Sequence, residues 1–305
     1  MGEYVFAQKQ YTLSGIVTED ATGETVLGAT VAVPDLNLGV VTNEYGFFSL
    51  SLPGGTHKII VSYLGYSTIN REVTLDNNVK MNFPLVEEAN QLEEVIVVQN
   101  VEKNNIRTPQ MSVNTLTSNT IKKIPAVFGE PDVIRSLLLL PGVSNAGEGA
   151  SGFNVRGGSA DQNLILLDEA IVFNSSHLFG FFSVFNTDAI KDLKLYKGGI
   201  PARYGGRLSS VLDIYQREGN KKEFKMNGGI GAISSKLLLE GPIVKDRGSF
   251  LVAGRSSYAH LFLQAAGEDN LASFYDLNTK LSYKLNDNNN LYASGYFGRD
   301  NFQIG

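Results

Sequence analysis

Residues Tyr275-Asp276-Leu277-Asn278-Thr279-Lys280-Leu281-Ser282-Tyr283-Lys284-Leu285 alternate one by one between a mostly apolar set and a polar set. Successive side chains of a strand point to opposite faces, so this segment is a strand with one apolar and one aqueous face. A strand between lipid and water reads this way. One wall of a soluble β-sandwich has the same period, so the stretch alone leaves both open. Working outward, Phe224, Met226, Ile230 and Ala232 alternate with Lys225 and Asn227, and further strands are expected over 236–243, 249–261 and 291–299. The connections Lys245-Asp246-Arg247-Gly248 and 286–290 are tight, whereas 264–272 is longer. Short turns at one end and long loops at the other are the habit of a membrane barrel.

Composition narrows the chemistry. The 305 residues carry 26 Lys+Arg against 31 Asp+Glu, a formal charge of −5, which argues against nucleic acid as a partner. With no Cys there are no disulfides or thiolate sites, and with three His, at 57, 177 and 260, a metal centre has few ligands. No apolar run reaches the roughly 18–20 residues of a spanning helix, which says nothing against barrel strands of about 9–11 residues. The 32 Gly, 17 Phe and 13 Tyr suit strands and turns. The length leads one to expect two or three domains. The opening MGEYVFAQKQ lacks the basic head and apolar stretch of a signal peptide, so export is not encoded in the chain as written, and Val5 to Gln8 is either the remnant of a cleaved signal or an ordinary terminus.

From residue 11 to 86, short apolar runs (14–18, 29–33, 46–50, 57–63, 72–75, 80–85) are separated by Gly, Pro, Asn and Asp, the spacing of a small sandwich. Gly15-Ile16-Val17, Gly28-Ala29-Thr30-Val31, 42–48, Pro53-Gly54-Gly55 and Tyr63-Leu64-Gly65-Tyr66 together resemble the carboxypeptidase regulatory-like, prealbumin-type sandwich. The resemblance implies a non-catalytic module, since a carboxypeptidase's zinc ligands have no counterpart here.

A linker, 87–99, follows. Within it Leu92-Glu93-Glu94-Val95-Ile96-Val97 is a β-branched run between polar flanks. Such a run is either an ordinary strand or one that adds to the exposed sheet edge of another protein. The string resembles the TonB box of TonB-dependent outer-membrane receptors, and its place between a regulatory-like sandwich and a plug-like segment resembles receptors of Bacteroidetes type.

The segment 100–219 is expected to be a small α+β domain. Residues 104–119 are polar and turn-rich. A helix is expected over Pro131 to Leu140, with Pro131 in its opening turn and Asp132 at the positive end of the dipole. Strands are expected over 153–156, 163–167, 171–173 and 193–197, with a helix over Asp188 to Asp192. Residues 112–121, 132–142, Phe153-Asn154-Val155-Arg156-Gly157-Gly158, 163–168, 188–198 and Pro201-Ala202-Arg203-Tyr204-Gly205-Gly206-Arg207 resemble consecutive motifs of the plug family. Asp168-Glu169-Ala170 departs from that family's usual Asp-Gly.

A plug fills a barrel whose inner wall is polar, so charged pairs between the two are expected. Arg156, Arg203 and Arg207 are the candidates, since a guanidinium holds a carboxylate through two hydrogen bonds; the competing reading is solvated surface arginines. In the aromatic run Phe173, His177, Phe179, Phe181, Phe182 and Phe185, the residues Phe179, Phe181 and Phe182 are candidates to face substrate, against the alternative of core packing. Gly147 to Gly152 satisfies G-x-G-x-x-G, yet a strand before it and a helix after it are missing. His177 near Asp168 and Ser176 lacks a nucleophile elbow. Neither a catalytic residue, a metal site nor a cofactor is expected, and the chain is not read as an enzyme.

The fold expected is therefore mainly β with a small α+β part: a prealbumin-like sandwich (11–86), a linker with a TonB-box-like strand (87–99), a plug (100–219) and about five opening strands of an outer-membrane β-barrel (220–305). The resemblance implies gated uptake of an external nutrient, whether siderophore, glycan or peptide. The TonB C-terminal domain and outer-membrane lipid are the implied partners, with room for a surface lipoprotein, and the sandwich and plug are placed on the periplasmic side of the outer membrane. The competing reading is an accessory or binding protein that reuses a plug without transporting. Five strands cannot close a barrel, so the chain is expected to be a truncated or partial product.

Overall fold

The computed structural model describes residues 9–88, 112–124, 130–147, 152–265, 267 and 271–303. Leu92 to Val97 and most of the Gly147 to Gly152 stretch lie outside the described residues. The chain forms two compact units, Met1–Pro109 and Gln110–Gly305. The architecture is mainly β with few helices, and among the described residues no helix is long and apolar enough to cross a membrane.

In the first unit the strands are β1 (Gln10–Glu19), β2 (Thr30–Val33), β3 (Leu38–Val41), β4 (Phe47–Pro53), β5 (Gly55–Ser62), β6 (Ile69–Leu75), β7 (Val79–Lys80) and β8 (Phe83–Leu85). One sheet runs β4-β1-β7 with β8 also on β1, and the other runs β3-β2-β5-β6. Alternate residues face inward: Leu13 and Val17 from β1, Phe48, Leu50 and Leu52 from β4, Ile59 and Val61 from β5 share one apolar core. The single strand expected over 80–85 is two strands. Between them Ile16 N–H donates to Asn82 Oδ1 at 3.0 Å, a side chain standing in for a strand carbonyl. Chain and chain approach so closely there that a Cβ at residue 15 would lie 1.8 Å from the Met81 carbonyl oxygen, which explains Gly15. Strand β3, half-exposed and interrupted by Gly39, carries too weak an alternation to read.

The second unit opens with β9 (Val113–Thr117), α1 (Ser118–Lys122), α2 (Val133–Leu137), β10 (Val143–Asn145), β11 (Phe153–Val155), β12 (Asn163–Leu167), β13 (Ala170–Ile171), β14 (Ser176–His177), β15 (Phe182–Ser183), β16 (Ile190–Tyr196) and β17 (Ser210–Gln216). Its central mixed sheet has the order β13-β12-β17-β16-β9, with β12 and β17 parallel. All seven residues of β17 are buried, so it has no two-residue alternation and the pattern does not announce it. Ile121, Val133, Leu137, Phe153, Phe185, Leu193, Leu212 and Ile214 form the core against this sheet.

Two helix expectations are corrected. The helix expected over 131–140 is only Val133–Leu137, because Asp132 is its N-cap, accepting the Arg135 N–H at 2.9 Å, and Pro131 lies outside. The helix expected over 188–192 is absent. Asn186 Oδ1 accepts the Asp188 N–H at 3.0 Å and the Asn186 carbonyl accepts the Ala189 N–H, closing a turn from which β16 starts at Ile190. Within the stretch read as turn-rich, 113–117 is the sheet's edge strand β9.

Five further strands, β18 (Lys225–Ile230), β19 (Ser234–Val244), β20 (Gly248–Ser257), β21 (Leu271–Asn286) and β22 (Asn289–Gln303), form an antiparallel meander in chain order. A short helix, α3 (Ala259–Ala265), occupies the connection between β20 and β21, so β20 stops at Ser257 and not at Leu261. The burial in this sheet is inverted. On β21, Asp276, Asn278, Lys280 and Ser282 are buried, while Tyr275, Leu277, Leu281 and Leu285 are exposed. Phe224, Met226, Ile230, Leu237, Leu291 and Phe297 continue the exposed apolar set across the neighbouring strands.

Candidate functional site

The buried polar face of the meander meets the mixed-sheet segment through charge. Arg255 on β20, only 4% exposed, is the centre. Its Nη1 lies 2.7 Å from Glu130 Oε1, its Nε donates to Asp276 Oδ2 at 2.9 Å, and its Nη2 donates to the Ser183 carbonyl at 2.7 Å. The guanidinium also sits over the Phe274 ring at 5.1 Å. Glu130 takes a further bond from Ser234 Oγ. An arginine so buried is tolerable only because every face of its fork has a partner.

His177 extends the cluster. Its Nε2 lies 3.3 Å from Asp276 Oδ2 and 3.2 Å from the Tyr296 hydroxyl, its Nδ1 lies 3.1 Å from both oxygens of Asp300, and its ring stacks on Phe274 with centroids 4.4 Å apart. Asp276, Tyr296 and Asp300 come from β21 and β22, His177 from β14.

Three other pairs cross the same seam. Lys280 Nζ lies 2.7 Å from Asp168 Oδ2, in the turn where Asp168 adopts a φ of 46°. Arg217 grips Glu240 through Nη2 at 2.8 and 2.9 Å. Asp188 lies between Lys236 Nζ at 2.6 Å and Lys122 Nζ at 3.0 Å. Burial alone would raise the Asp188 pKa, but its hydrogen bonds and charge contacts with the two lysines outweigh it and hold the carboxyl below its ordinary value. Elsewhere, burial and the hydrogen bond to Asp213 push the Tyr204 hydroxyl well above the usual tyrosine value.

The sequence-predicted residues fall elsewhere. Arg156 is exposed and donates to Ser112 Oγ at 3.1 Å; Arg203 stacks on Tyr204 at 4.7 Å and donates to its hydroxyl; Arg207 donates to the Gly206 carbonyl and lines a cavity with Phe153, Asn163, Ile171 and Phe173. The pairs that cross the seam run mainly in the opposite sense, with acids Glu130, Asp168 and Asp188 on the mixed-sheet side and cations Arg255, Lys280 and Lys236 on the meander. The aromatic run splits. Phe179 and Phe181 are 68% and 56% exposed. Phe182 is corrected to a packing residue, buried with Leu178 against Phe274 at a centroid distance of 5.2 Å. One signal could have found the seam: on β19, β20 and β21 the charged residues Lys236, Glu240, Arg255, Asp276 and Lys280 all occupy the inward parity. Among the described residues no group of three or more metal-binding side chains is placed to hold an ion.

Residues 13–97 match the CarboxypepD_reg-like domain and residues 105–210 match the TonB-dependent Receptor Plug Domain. The TonB-dependent receptor SusC of Bacteroides thetaiotaomicron is 29% identical over 247 residues, 75% of this chain and 23% of that protein. The chain thus carries a CarboxypepD_reg-like domain followed by a TonB-dependent receptor plug domain, and it is similar over three quarters of its length to a TonB-dependent receptor.

Carboxypeptidase D of Mus musculus is 34% identical over 76 residues, 24% of this chain and 6% of that protein. Among solved structures, the siderophore receptor PirA from Acinetobacter baumannii superposes with a TM-score of 0.49 at 18% identity, covering 64% of this chain and 32% of that one. The chain thus spans about a quarter of SusC's length and about a third of PirA's. Four strands of the mixed sheet, β9, β12, β13 and β16, lie within the plug match and β17 begins at its last residue, so the seam joins the plug segment to the meander.

Proposed function

We propose that the receptor chain takes part in energised uptake of an external nutrient across the outer membrane, its plug closing a barrel that begins with β18–β22. The observation that carries the reading is the inverted sheet: a polar face buried against the plug and an apolar face left exposed, as a strand between lipid and a polar lumen requires. In this reading the meander is the first part of the barrel wall and the seam of ion pairs holds the plug while the receptor is at rest. Leu92 to Val97 is the segment that adds to the sheet edge of the TonB C-terminal domain, and force applied there rearranges the plug. The sandwich and plug lie on the periplasmic side. Arg156, Arg203 and Arg207 are kept for wall strands other than these five, and Phe179 and Phe181 for contact with substrate.

Deleting Leu92 to Val97 in the full receptor should abolish energised uptake and leave substrate binding at the cell surface intact. Normal uptake by that mutant would overturn the reading.

A further inference from the structure

The segment after His177 holds three consecutive residues at positive φ: Leu178 at 49°, Phe179 at 54° and Gly180 at 93°. Bulky residues avoid this left-handed region because Cβ crowds the following carbonyl oxygen, and they persist in it only where the surroundings impose it. Leu178 is buried beside Phe182 and Phe274, whereas Phe179 projects outward with its ring 4.6 Å from Phe302 of β22. Within the plug the segment is held by Arg135 Nη2 on the Phe181 carbonyl at 3.3 Å, and from the meander it is held by one carboxylate. Asp300 accepts the Leu178 N–H at 3.2 Å and holds His177 Nδ1 at 3.1 Å, so it grips both the first strained residue and the residue before it.

We propose that Asp300 is a clamp that keeps the aromatic tip 178–181 of the plug in a strained conformation, and that release of this clamp is the local event by which contact at the tip loosens the plug-to-wall seam. The connection onward is continuous. His177 lies between Asp300 and Asp276, Asp276 holds Arg255, and Arg255 holds Glu130 and the Ser183 carbonyl. The Ser183 N–H in turn donates to Asp132 Oδ2 at 2.7 Å, the same carboxyl that caps α2. Gly298 leaves room for this arrangement, since a Cβ there would lie 3.1 Å from His177 Cε1 and would strike the Tyr296 hydroxyl. That the tip responds to substrate rests on the receptor reading; the clamp itself does not.

Amide hydrogen exchange of the full receptor in detergent micelles tests the clamp without any uptake measurement, so an uptake failure leaves its result standing. Asp300→Ala should speed exchange of the Leu178 amide about tenfold, because its acceptor is gone and the strain is free to relax. Phe179→Asn, whose short side chain tolerates the left-handed region, should slow exchange in the wild-type background and offset most of the Asp300→Ala effect. Lys280→Gln, which breaks a different seam pair, should leave the tip unchanged. Unchanged Leu178 exchange in Asp300→Ala, failure of Phe179→Asn to offset it, or equal loosening by Lys280→Gln would each overturn the proposal. If Asp300→Ala does not fold, Asp300→Leu, of similar size and without an acceptor, together with Phe179→Val carries the test: both should speed tip exchange, and no change in either counts against the clamp.

Discussion

The sandwich and the meander are written in the same two-residue alternation and fold it opposite ways. In the sandwich Leu13, Val31, Leu52 and Ile59 are turned inward, and polar side chains such as Lys58 and Glu72 face out. In the meander Asp276, Lys280 and Arg255 are turned inward, and Leu277, Leu281 and Phe297 face out. Alternation defines two faces; which one becomes the interior depends on what lies on each side. Two sheets that meet across apolar faces expel water between them, whereas on the proposed reading the meander has lipid outside, so its leucines stay exposed and its polar face meets the plug.

The sharpest way to break the comparison is Arg255→Ala, which leaves Glu130 and Asp276 buried without their cation and should cost about 3–5 kcal/mol in denaturant unfolding of the receptor. Combining Arg255→Met with Glu130→Gln and Asp276→Asn should recover most of that loss. If Arg255→Ala cost no more than removal of Lys284, whose partner Asp287 is 85% exposed, the inward polar face would not be a true interior. The counterpart in the sandwich is Leu52→Ala, with an expected loss of about 2–5 kcal/mol in the thermal transition of the first unit. On the outer face of the meander, Leu281→Arg should lower insertion into lipid vesicles by about 2–4 kcal/mol if the residue sits near the bilayer midplane. Unimpaired insertion would show that this face does not lie in the hydrocarbon of the bilayer.

The smallest effect is a pH dependence at Asp188. Its pKa is lower in the fold than in the unfolded chain, so its contribution is present above the ordinary carboxylate value and is lost as the pH falls through the depressed one. Lys236→Gln should move that acid limb upward toward ordinary carboxylate titration, and an unmoved limb would show that Lys236 does not hold the group.

Much of this is legible in the sequence. The strand around Lys280 and its two faces follow from alternation alone, and the turn-punctuated run from Gly15 to Leu85 reads as a sandwich. Strand β17 was not legible, because burial on both faces erases the period that reveals a strand. Nor was the charged seam. His177 and Asp300 are 123 residues apart, and no local pattern joins them. Arg156, Arg203 and Arg207 stand out on the plug because they belong to Gly-rich turns, while the bases of the seam are spread singly over β19, β20 and β21. Their common inward parity is the trace they leave in the sequence.

The serine pair Ser249 and Ser282, whose hydroxyls meet at 2.8 Å beneath the Glu218 carbonyl, shows what kind of surface lies between plug and meander. Such groups are as well served by water as by each other: a net hydrogen bond is worth only about 1 kcal/mol over its hydrated alternative. Parting this surface would therefore wet its polar groups and uncover apolar contacts chiefly at two small clusters, Leu178, Phe182 and Phe274, and Ala189 with Leu238, Leu251 and Ala253. An apolar joint of equal area would cost about 25 cal/mol for each Å² uncovered and would invite aggregation every time it opened. A polar joint is one that can be opened repeatedly and still find its way shut.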